Sequence, residues 1–178
     1  MRQCHLNNIH FYYYYYYYYY YYYYYYYYYY YYYYYYIHTD GSKSDDRVGA
    51  AVVHRNKTRC VQLLNTASIF RAELYALLLT IDVVRRSKEK YYFVIFSDSM
   101  WSLQAISSFK IELDVVQRFI KDYSTLSKSG KTTVLCWIPS HVGISVNEKA
   151  DTAAKSALSL RVTPMKIPAA DLILGLLS

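Results

Sequence analysis

The motif IHTDGS, residues 37–42, predicts a short β-strand that delivers a carboxylate, Asp40, into a glycine turn. Immediately before it runs an unbroken tract from Tyr12 to Tyr36, which holds 25 of the 29 tyrosines in the chain. A homopolymer has neither the two-residue period of a strand nor the 3.6-residue period of a helix. The tract therefore carries no information about which face to bury, and we expect the folded domain to begin near its end.

Strand-like and helix-like segments follow the motif in a clear order. Short apolar runs predict four further strands, over residues 48–55, 59–65, 91–98 and 132–141. Apolar residues at helical spacing predict four helices, over residues 68–86, 99–107, 111–129 and 146–158. Together with the strand that ends in the motif, this order predicts an α/β fold with a mixed sheet.

Composition outside the tyrosine tract is that of one compact domain. The net charge of +7 favours a polyanionic partner such as a nucleic acid. Three cysteines without CxxC spacing argue against a disulfide framework and favour an intracellular compartment, cytoplasmic or nuclear. We expect no signal peptide and no transmembrane segment. The predicted organisation is an N-terminal segment (1–11), a low-complexity tract (12–32), a folded domain (33–160) and a C-terminal tail (161–178).

Four carboxylates stand where side chains converge in an α/β fold. Glu73 lies within the apolar arc of the helix over 68–86, so it faces the sheet and needs a proton, a base or a cation as its partner. Asp40 and Asp98 each end a strand, and such strand ends gather into one crevice of an α/β sheet. Asp151 lies at the edge of the alanine-rich stripe of the last helix.

Each of these carboxylates has an alternative explanation when it is taken alone. Glu73 could reach solvent from the end of its stripe, and Asp151 could be an ordinary surface residue. Asp98 could be the N-cap of the helix that follows it, and Asp40 could be the first residue of an Asp-Gly turn. All four alternatives must hold at once if the carboxylates are unrelated.

In order and context, the four carboxylates resemble the signature of ribonuclease H: Asp40 in TDGS, Glu73 in RAEL, Asp98 in SDS and Asp151 in NEKAD. His141 in WIPSHVG matches the mobile histidine of that family. The segment CWIPSHVGISVNEKAD, residues 136–151, is most similar to the ribonuclease H domain that ends the polyprotein of animal retrotransposons lacking long terminal repeats. The resemblance covers about residues 37–158.

This resemblance implies a ribonuclease H-like fold, with a five-stranded mixed sheet flanked by helices. It implies an endonuclease that cuts the RNA strand of an RNA–DNA hybrid with two Mg²⁺ ions, for which Mn²⁺ is a substitute. Asp40 and Asp98 would ligate both ions, Glu73 and Asp151 one ion each, and His141 would assist water entry or product release. The resemblance implies a reverse transcriptase domain in relatives, and we do not expect one in this sequence.

Substrate contacts are predicted at six further positions. Arg118 and Lys121 recur with Lys128 on one helical face, which could meet backbone phosphates or be a solvated charged face. Family members often place a polar residue four before the helix glutamate; here that position is Ile69, so Ser68 is the candidate replacement. The predicted substrate-binding set is Gly41, Ser42, Ser68, Asn147, Arg118 and Lys121.

Two interpretations of the chain other than an active hybrid nuclease are considered. In the family the first strand is central, and here its positions fall on Tyr33 to Tyr36, whose rings could overpack the sheet. A catalytically impaired retroelement remnant, at most a nucleic-acid-binding or aggregation-prone protein, is the main alternative. Another nuclease or integrase with a related fold is disfavoured, because those proteins lack the glutamate that Glu73 supplies.

Overall fold

The computed structural model describes residues 9–13, 34–88, 92–110 and 112–163. Most of the predicted low-complexity tract, most of the N-terminal segment and residues 164–178 of the tail lie outside the described residues. The strands are β1 (Ile9–Tyr13), β2 (Tyr34–Ser44), β3 (Arg47–His54), β4 (Lys57–Leu63), β5 (Tyr92–Ser97) and β6 (Thr132–Trp137). The helices are α1 (Ile69–Arg86), α2 (Met100–Ser107), α3 (Asp114–Lys128) and α4 (Ser145–Ala157).

One mixed sheet forms the centre of the described domain, with the strand order β1-β6-β5-β2-β3-β4. β2, β3 and β4 form an antiparallel meander, while β2, β5, β6 and β1 pair in parallel. The five predicted strands and the α/β class are confirmed. β1 adds a sixth strand at the outer edge of β6, which the sequence did not predict because two of its five residues belong to the tyrosine tract.

Helices cover both faces of the sheet, and the alternation of side chains along β3 separates them. Val48 and Ala50 pack with Ala72 and Ala76 of α1. Ala51 and Val53 point to the opposite face, where they pack with Ala150, Ala153 and Ala154 of α4. The main core lies on the α1 side, where α2 and α3 also contribute buried side chains. The sheet is therefore the middle of three layers.

Buried polar contacts fix the helix ends near the carboxyl end of the sheet. Arg71, in the first turn of α1, donates to both carboxylate oxygens of Asp114 at 3.1 and 3.0 Å. This bidentate ion pair joins the beginnings of α1 and α3, and its arginine side chain is only 9% exposed. Among the described residues, no helix is long and apolar enough to cross a membrane.

Two predicted boundaries were wrong for identifiable reasons. The strand predicted over 132–141 ends at Trp137: the Ile138 N–H still donates to Ser97, at 3.1 Å, but Pro139 has no N–H to continue the ladder. The helix predicted from residue 111 begins at Asp114, because Leu113 is extended, with ψ of 115°. Residues 91 and 111, at the predicted starts of a strand and a helix, lie outside the described residues.

The described tyrosines of the tract take part in the central strand. Tyr35 is buried in the main core, with its ring 5.7 Å from that of Phe93, and its hydroxyl shares a hydrogen bond with Nδ1 of His54. Tyr34 and Tyr36 are half-buried, and Tyr36 stacks on Phe96 with ring centroids 6.1 Å apart. Alternate tyrosines therefore point to opposite faces, and Tyr35 alone of these three enters the main core.

Candidate active site

Close packing of α1 against β2 brings two carboxylates together. A Cβ atom at Gly41 would lie 2.9 Å from the backbone nitrogen of Glu73 and 3.0 Å from Cβ of Ala72. Only glycine allows the first turns of α1 to approach the strand this closely, because real Cβ atoms hardly ever come so near. Asp40 precedes this glycine, and both carboxylates are buried: Asp40 is 6% and Glu73 8% exposed.

Asp98 joins them from the neighbouring parallel strand. It follows Ser97, the last residue of β5, and is partly buried. Its backbone carbonyl accepts a hydrogen bond from Nε1 of Trp137 at 3.0 Å, and its carboxylate accepts one from Nδ2 of Asn147 at 3.5 Å. One carboxylate oxygen from each of Asp40, Glu73 and Asp98 lies within 4.8 Å of the others. We call these three residues the carboxylate cluster.

Asp151 approaches the cluster from the other face of the sheet. A Cβ atom at Gly49 of β3 would lie 2.5 Å from the carbonyl oxygen of Ala154, so glycine again permits close helix packing, here by α4. The carboxylate of Asp151 is outside the 4.8 Å group and pairs with Nζ of Lys155 at 2.7 Å. Its charge still raises the pKa of both Asp40 and Asp98, so it is electrostatically part of the site.

The structure excludes three of the four alternative explanations that apply when each carboxylate is taken alone. Glu73 does not reach solvent, since only 8% of it is exposed. Asp98 is not the N-cap of α2, because that position belongs to Ser99. Asp40 does not open a turn, because β2 continues through Gly41, opposite Ala50, as far as Ser44. The expected glycine turn was therefore wrong, and this glycine serves helix packing instead.

Burial and mutual repulsion make the carboxylates of the cluster hard to ionise. Burial, followed by the charges of Asp40 and Asp98, raises the pKa of Glu73 to about 9. Burial, followed by the charges of Asp98 and Asp151, raises the pKa of Asp40 to about 7. Burial also raises the pKa of Asp98, against the lowering effect of the hydrogen bond from Asn147. The folded protein thus stores unfavourable electrostatic energy in this cluster.

The cluster fits a divalent cation. Hard cations such as Mg²⁺ prefer carboxylate oxygens, and all three side chains offer them. Oε2 of Glu73 is buried and has no hydrogen-bond partner among the described residues, so a cation would supply the interaction that the protein does not. Positive charge at this position would also offset the burial and the mutual repulsion that raise the pKa values of the three carboxylates.

His141 lies on the exposed loop between β6 and α4. Its backbone has a φ of 54°, in the left-handed region that few residues other than glycine and asparagine adopt. The charge of His141 lowers the pKa of Asp98, so the imidazole lies within electrostatic range of the cluster. The imidazole is exposed to solvent.

The predicted substrate contacts occupy different environments. Oγ of Ser68 caps α1 by accepting a hydrogen bond from the N–H of Arg71 at 3.1 Å. Asn147 is only 3% exposed, whereas the side chains of Arg118 and Lys121 lie on the solvent side of α3. Arg118 pairs with Asp122 at 3.8 Å. Gly41 and Ser42 are partly buried on β2, directly after Asp40.

Trp101 was missed by the sequence reasoning. It lies three residues after Asp98 in the first turn of α2, and 76% of it is exposed, the largest fraction among the exposed large apolar side chains. Phe109, after the end of α2, is 47% exposed. The sequence feature that could have revealed this exposed ring is a tryptophan in the first turn of α2. The buried residues of that helix are Ser102, Leu103, Ala105 and Ile106. Exposed aromatic rings can provide stacking surfaces for nucleic acids.

Comparison with known protein families gives a result independent of this geometry. Residues 33–159 match the sequence model of one family, RNase H. The match spans β2 to the end of α4 and includes all four carboxylates and His141. It confirms the resemblance to the ribonuclease H family. A search of curated proteins found no match to the chain.

Proposed function

The chain belongs to the ribonuclease H family, hydrolases that act on the RNA strand of RNA–DNA hybrids, and from this premise we propose that this chain is itself an active hybrid endonuclease. The observation that carries the proposal is the carboxylate cluster, with its three oxygens within 4.8 Å and the unpartnered Oε2 of Glu73. A cluster of this kind is costly to the fold, and a metal-dependent reaction explains its retention.

We assign the metal site to Asp40, Glu73 and Asp98, with Asp151 as a fourth ligand. Two Mg²⁺ ions, or Mn²⁺ in their place, would supply Lewis acidity at the scissile phosphate and promote ionisation of the attacking water. The four carboxylates would hold these ions in place, and Asp98 is itself held by hydrogen bonds from Trp137 and Asn147. His141, exposed on its loop, is positioned to carry protons or water to and from the buried cluster.

Binding of the hybrid would use surfaces around the cluster. Trp101 offers an exposed ring for stacking against bases or sugars. Arg118 and Lys121 add positive charge on α3 that attracts backbone phosphates. The backbone of Gly41 and Ser42 can approach the RNA strand next to Asp40, and Ser68 remains exposed at the start of α1 while it caps that helix.

The proposal is tested with a hybrid that carries a fluorescent label on its RNA strand. The full chain should cleave the RNA in the presence of Mg²⁺ and not in the presence of EDTA, and Asp98→Asn should abolish cleavage because it removes one ligand charge. Asp46→Asn, in the exposed turn between β2 and β3, is the matched control and should cleave normally. Equal cleavage by wild type and Asp98→Asn would contradict the proposed site.

A retroelement remnant is the second candidate function. The observation that favours it is the central strand, since Asp40 depends on a strand whose first three described residues are tyrosines. The similarity of residues 136–151 to retrotransposon domains supports an origin of this kind. For either candidate function, we assign the nuclease domain to residues 33–160. A variant lacking Tyr12–Tyr32 separates the two candidates. The remnant would bind hybrid without cleaving it, whether or not the tract is present.

A further inference from the structure

We propose that Asn147 is a positioning residue for the metal site: its side-chain amide holds the carboxylate of Asp98 in place and ties it to the helix that carries Asp151. The inference rests on the proposed metal-dependent function. Asn147 belongs to the first turn of α4 and is 3% exposed, so it has almost no surface with which to touch a nucleic acid. Its Nδ2 group donates to Oδ2 of Asp98 at 3.5 Å.

The orientation of the amide follows from the chemistry of its neighbour. A carboxylate accepts hydrogen bonds, so the N–H₂ group of Asn147 must face Asp98; the opposite orientation would set Oδ1 against a carboxylate oxygen. In the observed orientation, Oδ1 of Asn147 is buried and has no hydrogen-bond partner among the described residues. A buried amide oxygen without a partner is unfavourable for folding. This unfavourable oxygen is understandable if the N–H₂ group serves the site instead of the fold.

The hydrogen bond from Asn147 to Asp98 matters because Asn147 lies on the same helix as Asp151. Asn147 and Asp151 lie four residues apart on α4, so they share one face of the helix. Asp98 belongs to the opposite side of the site, directly after β5. The hydrogen bond therefore fixes the separation between a carboxylate on the sheet and a carboxylate on the helix. Two cations can be held by these groups only if that separation is maintained.

The test replaces the amide with a side chain that has the same branching and the same number of non-hydrogen atoms. Asn147→Leu removes the donor to Asp98 and also the unpartnered oxygen. The variant should therefore not be destabilised by a buried cavity or by a buried amide oxygen without a hydrogen bond. Asn65→Leu is the matched control, because Nδ2 of Asn65 donates to Asp46 at 3.4 Å in an exposed hydrogen bond of the same kind. Both variants are made in the full chain.

The decisive readout is Mn²⁺ binding measured calorimetrically without any hybrid. We expect Asn147→Leu to bind Mn²⁺ about tenfold more weakly than wild type, the order found when a group that orients a ligand is removed, whereas Asn65→Leu should bind normally. Thermal unfolding in EDTA should show Asn147→Leu to be at least as stable as wild type. In cleavage, kcat should fall while KM for the hybrid is unchanged.

Three results would overturn the inference. Unchanged Mn²⁺ affinity with a raised KM would assign Asn147 to substrate binding, and unchanged affinity with lower thermal stability would assign it to the fold. If the wild type does not bind Mn²⁺, the metal site that Asn147 is proposed to position does not exist. If the wild type binds Mn²⁺ but cleaves no hybrid, and Asn147→Leu binds the ion more weakly, the positioning role stands while the proposed nuclease function fails.

Discussion

Asp40→Asn should stabilise the protein when no divalent cation is bound. The pKa of Asp40 in the folded state is about 7, against an ordinary value of 3.8, chiefly because of burial and secondly because of the charges of Asp98 and Asp151. Between these two pH values the folded protein keeps a proton that the unfolded chain has released. The free energy of unfolding therefore falls as pH rises through this window, and the loss is complete above pH 7.

The size of the effect follows from the same pKa difference. At ~1.4 kcal/mol per pH unit, ionised Asp40 costs the fold about 4 kcal/mol at most, and coupling to Glu73 and Asp98 reduces the part that one substitution recovers. Asparagine has nearly the same shape and stays neutral at every pH. We therefore expect Asp40→Asn to raise the free energy of unfolding by about 2–4 kcal/mol at pH 8 and to leave it almost unchanged at pH 4.

Urea unfolding of the full chain in EDTA at pH 4, 6 and 8 measures this difference. Asp122→Asn serves as the control, because it removes a carboxylate that pairs with Arg118 on the surface of α3. Saturating Mg²⁺ should shrink or reverse the advantage of Asp40→Asn, since the cation then stabilises the ionised wild-type cluster. A variant that is less stable than wild type at pH 8 in EDTA, or a difference independent of pH, would refute the electrostatic argument.

Three further substitutions probe other parts of the site. Gly41→Ala should destabilise the protein by about 1–3 kcal/mol in urea unfolding and abolish cleavage, because its Cβ would collide with the backbone of α1 at Glu73; unchanged stability would contradict this. Trp101→Ala should raise KM for the hybrid about tenfold with no change in thermal stability, since the ring is exposed; an unchanged KM would exclude stacking. Lys155→Met should lower the Mg²⁺ concentration needed for half-maximal cleavage, because Lys155 now neutralises Asp151 in place of a cation; a higher requirement would show that the lysine assists.

The burial of Glu73 could be predicted because it is encoded locally. The 3.6-residue period of α1 places this side chain on the apolar face, and the structure finds it 8% exposed in that position. The end of β5 was predictable in a similar way, since a short apolar run closed by Asp98 gives both the element and its boundary. Local patterns thus placed Glu73 on the sheet-facing side of α1 and Asp98 directly after β5 before any tertiary contact was known.

Contacts between segments that are distant in sequence could not be predicted from local patterns. Gly41 and Asp40 carry the local signature of a turn, but pairing of β2 with β3 extends the strand past them to Ser44. Gly49 gave no signal, although it lets α4 approach β3 and so brings Asp151 to the site. The requirement for glycine at both positions comes from a helix that is remote in sequence. Local reasoning has no access to it.

The tyrosines before Asp40 show how little of a strand must be specified by its own residues. A slip of two residues would leave the face pattern of a homopolymer unchanged, so tyrosines alone cannot set the register. Register is instead imposed by Ile37, which is fully buried, and by the pairing of β2 with both of its neighbours, β3 and β5. Among the described tyrosines of the tract, Tyr34–Tyr36 contribute backbone pairing in β2, and Tyr35 contributes a ring to the main core. The position of Asp40 in the cluster therefore depends on the non-tyrosine residues that follow the tract.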